Sequence, residues 1–149
     1  MTQVRTDAQG ATAQGRAGPG GSKPRPISPH LQIWRWHVTM AASIATRFTG
    51  VALYVGAIIL AVWAACLASG PGAYGVCMAV LTSPIGWLVL FGLTVSVFYH
   101  LAAGIRHLAW DIGKGFLPRT ANATSWAAFA FAIVASVALF AGGLLLRSH

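Results

Sequence analysis

The sequence predicts an all-α membrane protein with three transmembrane helices. Three observations carry that prediction. The chain of 149 residues is 56% hydrophobic and only 8% charged, whereas a soluble domain carries roughly 25% charged residues. The apolar residues gather in three continuous runs, 48–67, 84–105 and 126–146. Each has the ~20 residues that a helix needs to cross ~30 Å of hydrocarbon at ~1.5 Å per residue. None of the runs contains Asp, Glu, Lys or Arg, and each is about twice the length of a spanning strand, which favours helices over a barrel.

Taken in order, residues 1–23 are rich in Gly, Ala, Gln and Thr and present no apolar face, so they read as a disordered tail. The tail lacks the apolar core of a secretory signal and the amphipathic pattern of a mitochondrial presequence, and reads as a plain bacterial tail. Segment 24–42 reads as interfacial: Ser28 and Pro29 form a hydroxyl cap followed by a proline, and Trp34 and Trp36 suit the membrane–water boundary. The spans with their polar flanks are 43–68, 84–112 and 125–147. Cys66 and Cys77 fit no metal-ligand spacing and read as small apolar residues; nothing requires a disulfide between them.

The net charge is +8, with Asp7 and Asp111 the only acids. The cations lie in the tail and at the ends of the apolar runs, which suits anionic lipid head groups and not nucleic acid. Arg5, Arg16, Lys23, Arg25 and Arg35 precede the first span, with Arg47 at its mouth. The connection 68–83 has no Lys or Arg, and the next carries Arg106, Lys114 and Arg119. The positive-inside rule therefore puts the N-terminus and the second connection in the cytoplasm, leaving Arg147 as the one outer cation.

The polar groups of the second span share a face. His100, Gly104, His107 and Asp111 follow i, i+4, i+7, i+11, and Ser96 extends the stripe. His100 is the deepest, and an imidazole at that depth needs a partner. It is either a packing histidine bonded to a neighbouring helix or an axial haem ligand. Gly104 removes a side chain where a flat macrocycle would pass. His107 lies about 10 Å further along the axis, so that Arg106 and His107 suit haem carboxylates. At the same depth on the first span, Ser43 and Arg47 are i, i+4. Arg47 is either a snorkelling arginine or, with Ser43, a donor pair aimed at a carbonyl or carboxylate, and Gly50 permits close helix packing. One deep histidine cannot supply both axial imidazoles. If His100 is a haem ligand, a second axial imidazole would come from another chain, or from His37, an in-chain alternative that lies at the interface; on that reading these helices form half of a haem-binding bundle.

These residues also carry a resemblance. "RPISPHLQIW", then "SIATRFTG", then "HLAAGIRHLAWD" together resemble the cytochrome b subunit of succinate dehydrogenase, respiratory complex II, over about residues 25 to 113. The resemblance implies a three-helix anchor in the bacterial cytoplasmic membrane. Its partners would be a second membrane-anchor subunit, an iron–sulfur subunit and a flavoprotein subunit. One haem b would be shared between the two anchors, with ubiquinone or menaquinone as substrate. Carried over by motif, His100 is the axial ligand, Ser43 and Arg47 bind quinone, and Arg47, Gly104, Arg106 and His107 form the haem and propionate surroundings. Asp111 is a structural residue closing the motif, in an ion pair at the helix end. The sequence departs from the family pattern at Thr46, where a propionate-associated histidine often stands, and at Trp34, in place of a tyrosine. The chain holds no flavin motif, no iron–sulfur cysteine run and no acid–base pair, so succinate is oxidised in another subunit. The alternatives are a fumarate reductase anchor, a haemless structural anchor, and a small transporter. The last is disfavoured because Asp111, the one membrane-proximal acid, lies at the interface.

Overall fold

The computed structural model describes residues 35–148. The expected tail 1–23, Ser28–Pro29 and Trp34 lie outside them. The described chain is all-helical, with α1 (Val38–Ala68), α2 (Pro71–Leu81), α3 (Pro84–Asp111) and α4 (Pro118–Ser148). α1, α3 and α4 are long and apolar enough to cross a membrane, in agreement with the three-span prediction.

Helix ends follow local chemistry. α1 begins after His37, which is extended at φ −122°, ψ 145°, and whose carbonyl accepts from the Met40 and Ala41 amides at 3.0 and 3.3 Å. It stops at Gly70, whose φ of +103° is left-handed and suits glycine. Pro71 then opens α2 at its first position. This eleven-residue helix fills most of the connection that the sequence reading treats as a loop. Ser83 caps α3, its hydroxyl accepting from the Gly86 amide at 3.1 Å. The α2–α3 corner is so tight that a Cβ at Gly86 would collide with the carbonyl oxygens of Val80 and Leu81. α4 starts at Pro118, seven residues before the expected span, because residues 118–124 continue the helix beyond the apolar run. Hydropathy marks the hydrocarbon crossing, whereas the helix ends where its backbone does.

α3 is central and packs against both α1 and α4. The seams are built of small residues: Ala42, Ala103, Ser125, Ala128, Ala132 and Ser136 are buried. Such residues let helix backbones approach closely in a medium that gives little hydrophobic drive to association. Ser125 and Ser136 satisfy themselves by donating to the carbonyls one turn back, Ala121 and Ala132, both at 2.7 Å. Along the half of the α3–α4 seam nearer the α2–α3 corner, Trp87 and Phe91 meet Phe140 edge-on, at ring centroid distances of 5.8 and 5.1 Å. The contacts of Ala42 with Tyr99 and of Arg106 with Ser125 bring the start of α1, the end of α3 and the start of α4 to one end of the bundle. Large side chains such as Phe48, Tyr54 and Leu60 point outward, as suits a surface bathed in lipid or covered by another apolar helix.

Candidate functional site

The bond from the Tyr99 hydroxyl to the Ala42 carbonyl, 2.8 Å long and buried, sets the depth at which α1 meets α3. In that register Thr49 faces His100. Thr49 Oγ1 lies 3.1 Å from His100 Nδ1, and also 2.8 Å from the Ala45 carbonyl and 3.1 Å from the Thr46 carbonyl. His100 is half-buried, and its Nε2 makes no hydrogen bond among the described residues. A Cβ at Gly50 would sit 3.5 Å from His100 Cε1, an ordinary contact distance, so the α1 backbone passes close to the ring edge between the two nitrogens. Gly104, one turn further along α3, opens onto free space. An apolar cavity of 580 Å³ lined by Leu53, Gly56, Leu93 and Val97 continues the α1–α3 seam toward α2. An imidazole in an apolar seam, with one nitrogen held and the other without a hydrogen bond among the described residues, suits an axial haem ligand.

The other sequence-predicted residues fall in two places. His107 is exposed, and its Nδ1 donates to the Ala103 carbonyl at 2.7 Å, which leaves Nε2 as a free acceptor or proton site. It lies on the same stripe as His100 and Gly104. Arg106 does not. It is 8% exposed and faces α4, where Nη1 donates to Ser125 Oγ at 2.6 Å. Its guanidinium carbon stands 4.6 Å over the Trp110 ring, and its Nε is buried without a partner among the described residues. Asp111 is exposed and makes no ion pair among the described residues.

Ser43 and Arg47 are exposed neighbours on the first turns of α1, without a hydrogen bond among the described residues. Helix geometry turns this pair about a third of the way round α1 from the line that meets α3. Most other hydroxyls in the bundle donate to the carbonyl one turn back, as Thr46 does to Ala42 at 2.8 Å and Ser96 does to Gly92 at 2.8 Å. Ser43 does not, so its proton is available outward. Thr46 commits its hydroxyl to its own helix at the position where the resemblance puts a histidine.

Sequence reasoning missed Thr49, Tyr99 and Ser125. Each is a hydroxyl inside a helix, a pattern that ordinarily signals only a local bond to the backbone. Only the helix register reveals that Thr49 and Tyr99 reach across to another helix.

Comparison with known proteins gives a consistent result. The profile of a family described as "Succinate dehydrogenase/Fumarate reductase transmembrane subunit" matches residues 21–139. The succinate dehydrogenase cytochrome b556 subunit of Paracoccus denitrificans is 38% identical over 113 residues, covering 76% of this chain and 87% of that protein. The cytochrome b556 subunit of Rickettsia felis is 37% identical over 116 residues, covering 78% and 90%. The mitochondrial cytochrome b560 subunit of Sus scrofa is 38% identical over 96 residues, covering 61% of this chain and 55% of its own length.

Proposed function

This chain belongs to the succinate dehydrogenase/fumarate reductase transmembrane subunit family, and from that premise we propose that it is the cytochrome b anchor of a succinate:quinone oxidoreductase in a bacterial cytoplasmic membrane, with its N-terminus inside. It holds one b-type haem together with a second anchor subunit and contributes part of the ubiquinone or menaquinone site. The flavoprotein and iron–sulfur subunits dock on the cytoplasmic side. The observation that carries this reading is His100: Nδ1 engaged by Thr49 at 3.1 Å, Nε2 without a hydrogen bond among the described residues, and open space at Gly104 one turn on.

When bound, the haem supplies one-electron chemistry. The residues of this chain supply the rest. His100 Nε2 offers a neutral lone pair, which is the form of histidine that ligates iron. The exposed His107 lies about two turns away, so a second axial imidazole would come from the partner anchor. His107 Nε2 and Arg47 serve carboxylates at the cytoplasmic rim. The position of Arg106, bonded to Ser125, favours a role in fastening α3 to α4 over contact with a propionate.

Quinone reduction places negative charge on the two carbonyl oxygens before protons arrive. Donors aimed in advance at those oxygens stabilise that charge without reorganising. Arg47 supplies a permanent positive charge, and Ser43 an uncommitted hydroxyl one turn away. Both are exposed at the cytoplasmic end, where water delivers protons. Losing one such donor costs on the order of 10²–10³ in turnover.

The test is a reduced-minus-oxidised optical spectrum of the purified complex, wild type beside His100→Ala. The expected result is a b-type α band near ~560 nm that the variant loses. A haem-free wild-type complex would favour the haemless anchor instead. Ser43→Ala and Arg47→Ala are then assayed for succinate–quinone activity, with dye reduction by the soluble subunits as control. The expected result is loss of the former and retention of the latter.

A further inference from the structure

We infer that Thr49 is a positioning residue for the axial ligand: its hydroxyl oxygen accepts a hydrogen bond from His100 Nδ1–H and thereby holds the tautomer and ring orientation that present Nε2 to iron. The inference rests on the axial-ligand reading above and gives a role to Thr49, a residue within the "SIATRFTG" stretch.

The argument is one of proton counting. Thr49 Oγ1 has one proton and three neighbours within bonding reach: the Ala45 carbonyl at 2.8 Å, the Thr46 carbonyl at 3.1 Å and His100 Nδ1 at 3.1 Å. A carbonyl oxygen can only accept. The shortest contact is the bond one turn back that other helical hydroxyls of this bundle also make, at 2.8 Å for Thr94 and 2.9 Å for Thr124. With its proton committed there, Thr49 presents a lone pair to His100, and Nδ1 must be the donor. A neutral imidazole with a proton on Nδ1 carries its free lone pair on Nε2. The α1–α3 register is held independently by Tyr99 and Ala42, so the hydroxyl is aimed before any ligand binds.

A metal-bound imidazole that donates through its other nitrogen is a more basic ligand. Its N–H is more acidic when the iron is ferric, and hydrogen bonds involving charge are about twice as strong as neutral ones. Thr49 should therefore favour the oxidised haem and lower its midpoint potential. Loss of the bond is expected to shift the reduced-to-oxidised ratio at a fixed ambient potential about tenfold toward reduced, which is ~59 mV for a one-electron couple.

The experiment is a spectroelectrochemical titration of the haem in the purified complex, with low-temperature EPR of the ferric form. Thr49→Val keeps the shape and removes the acceptor, Thr49→Ala removes it with less bulk, and Thr49→Ser restores it. The expected result is a raised potential and an altered ferric EPR spectrum in Val or Ala, with Ser close to wild type. Loss of haem from both Val and Ala with retention in Ser also supports the positioning role. A potential and EPR spectrum unchanged in Val or Ala, while His100→Ala loses the haem, overturns the role of Thr49 and leaves the axial-ligand reading standing. Retention of a normal haem by His100→Ala overturns both.

Discussion

Arg106 is the residue whose replacement separates a fastening role from a haem-contacting one. Its charged group is buried between α3 and α4. One nitrogen donates to Ser125 at 2.6 Å, the guanidinium carbon stands 4.6 Å from the Trp110 ring centroid, and Nε is buried without a partner among the described residues. A hydrogen bond from a charged donor contributes ~1.5–3 kcal/mol, and a desolvated cation–π contact ~1–2 kcal/mol. Against these stand the unpaired Nε, at ~1–3 kcal/mol, and the general cost of holding a charge away from water, several kcal/mol before compensation. The terms nearly cancel, so Arg106→Met, which keeps the stem and removes the charge, should change the stability of the complex by no more than about 1 kcal/mol. Ser125 loses nothing essential, because its own proton already goes to Ala121. Arg106→Ala leaves a void in the seam instead and should cost about 2–4 kcal/mol. The assay is thermal unfolding in detergent, read beside haem content and midpoint potential, and in the methionine variant both haem readouts should match wild type. If Arg106→Met is as damaging as Arg106→Ala, or moves the haem potential, then Arg106 meets an acceptor from outside this chain and the fastening argument is wrong.

Three further predictions follow from single contacts. Gly86→Ala drives a methyl group into the Val80 and Leu81 carbonyls and should cost about 2–3 kcal/mol or open the α2–α3 corner; limited proteolysis at 81–86 and unfolding in detergent both report it. Tyr99→Phe removes the bond to Ala42, but that carbonyl still accepts from Thr46 at 2.8 Å. The loss should therefore stay near 1 kcal/mol, below the ~1–3 kcal/mol penalty of an orphaned buried group, and thermal unfolding measures it. Partial burial, then the hydrogen bond and charge interaction with Cys66, push the Cys77 thiol above its ordinary value of 9.0. A raised folded-state value means that the contribution to stability is whole below the ordinary thiol range and is lost as pH rises through the folded value. Alkylation of Cys77 should accordingly be slow at neutral pH and reach its plateau at higher pH than an ordinary thiol, with Cys66→Ala bringing the profile only part of the way back down, because burial is the larger cause. A plateau in the ordinary range in the wild type would refute this.

Much of the fold was legible because hydrocarbon imposes one simple rule: a crossing needs about twenty apolar residues. That rule locates α1, α3 and α4 and says little about where their helices end, since Pro118 and Val38 begin helices outside the apolar runs. α2 escaped because its eleven residues are too few to cross the membrane and fall between two spans; Gly70 followed by Pro71, a left-handed stop and a helix-opening proline, was the signal that could have found it. In the site, sequence reasoning followed cost. A charge or an imidazole in a membrane is expensive and therefore conspicuous, which selects Arg47, His100 and Arg106. Cost does not reveal direction. Arg106 lies six residues from His100 yet faces another helix, while the inexpensive hydroxyl of Thr49 is the group that touches the ring.

The same physics explains which seams can be read at all. In water, burial singles out the apolar face of a helix. In lipid it does not, because acyl chains are as apolar as leucine. α1 shows the consequence: Ala42 is its one buried residue, and Phe48, Tyr54 and Leu60 point outward without any change in polarity around the helix. What marks a helix–helix seam here is size. Every buried residue of α4 is Ala or Ser, and the one large buried aromatic of α3, Tyr99, sits where its hydroxyl finds a carbonyl on α1. A search for packed faces in a chain of this kind should therefore weight small and hydroxyl-bearing positions above hydrophobic ones. On α1, Ala42, Thr46 and Thr49 are such positions, and they form the line that reaches His100.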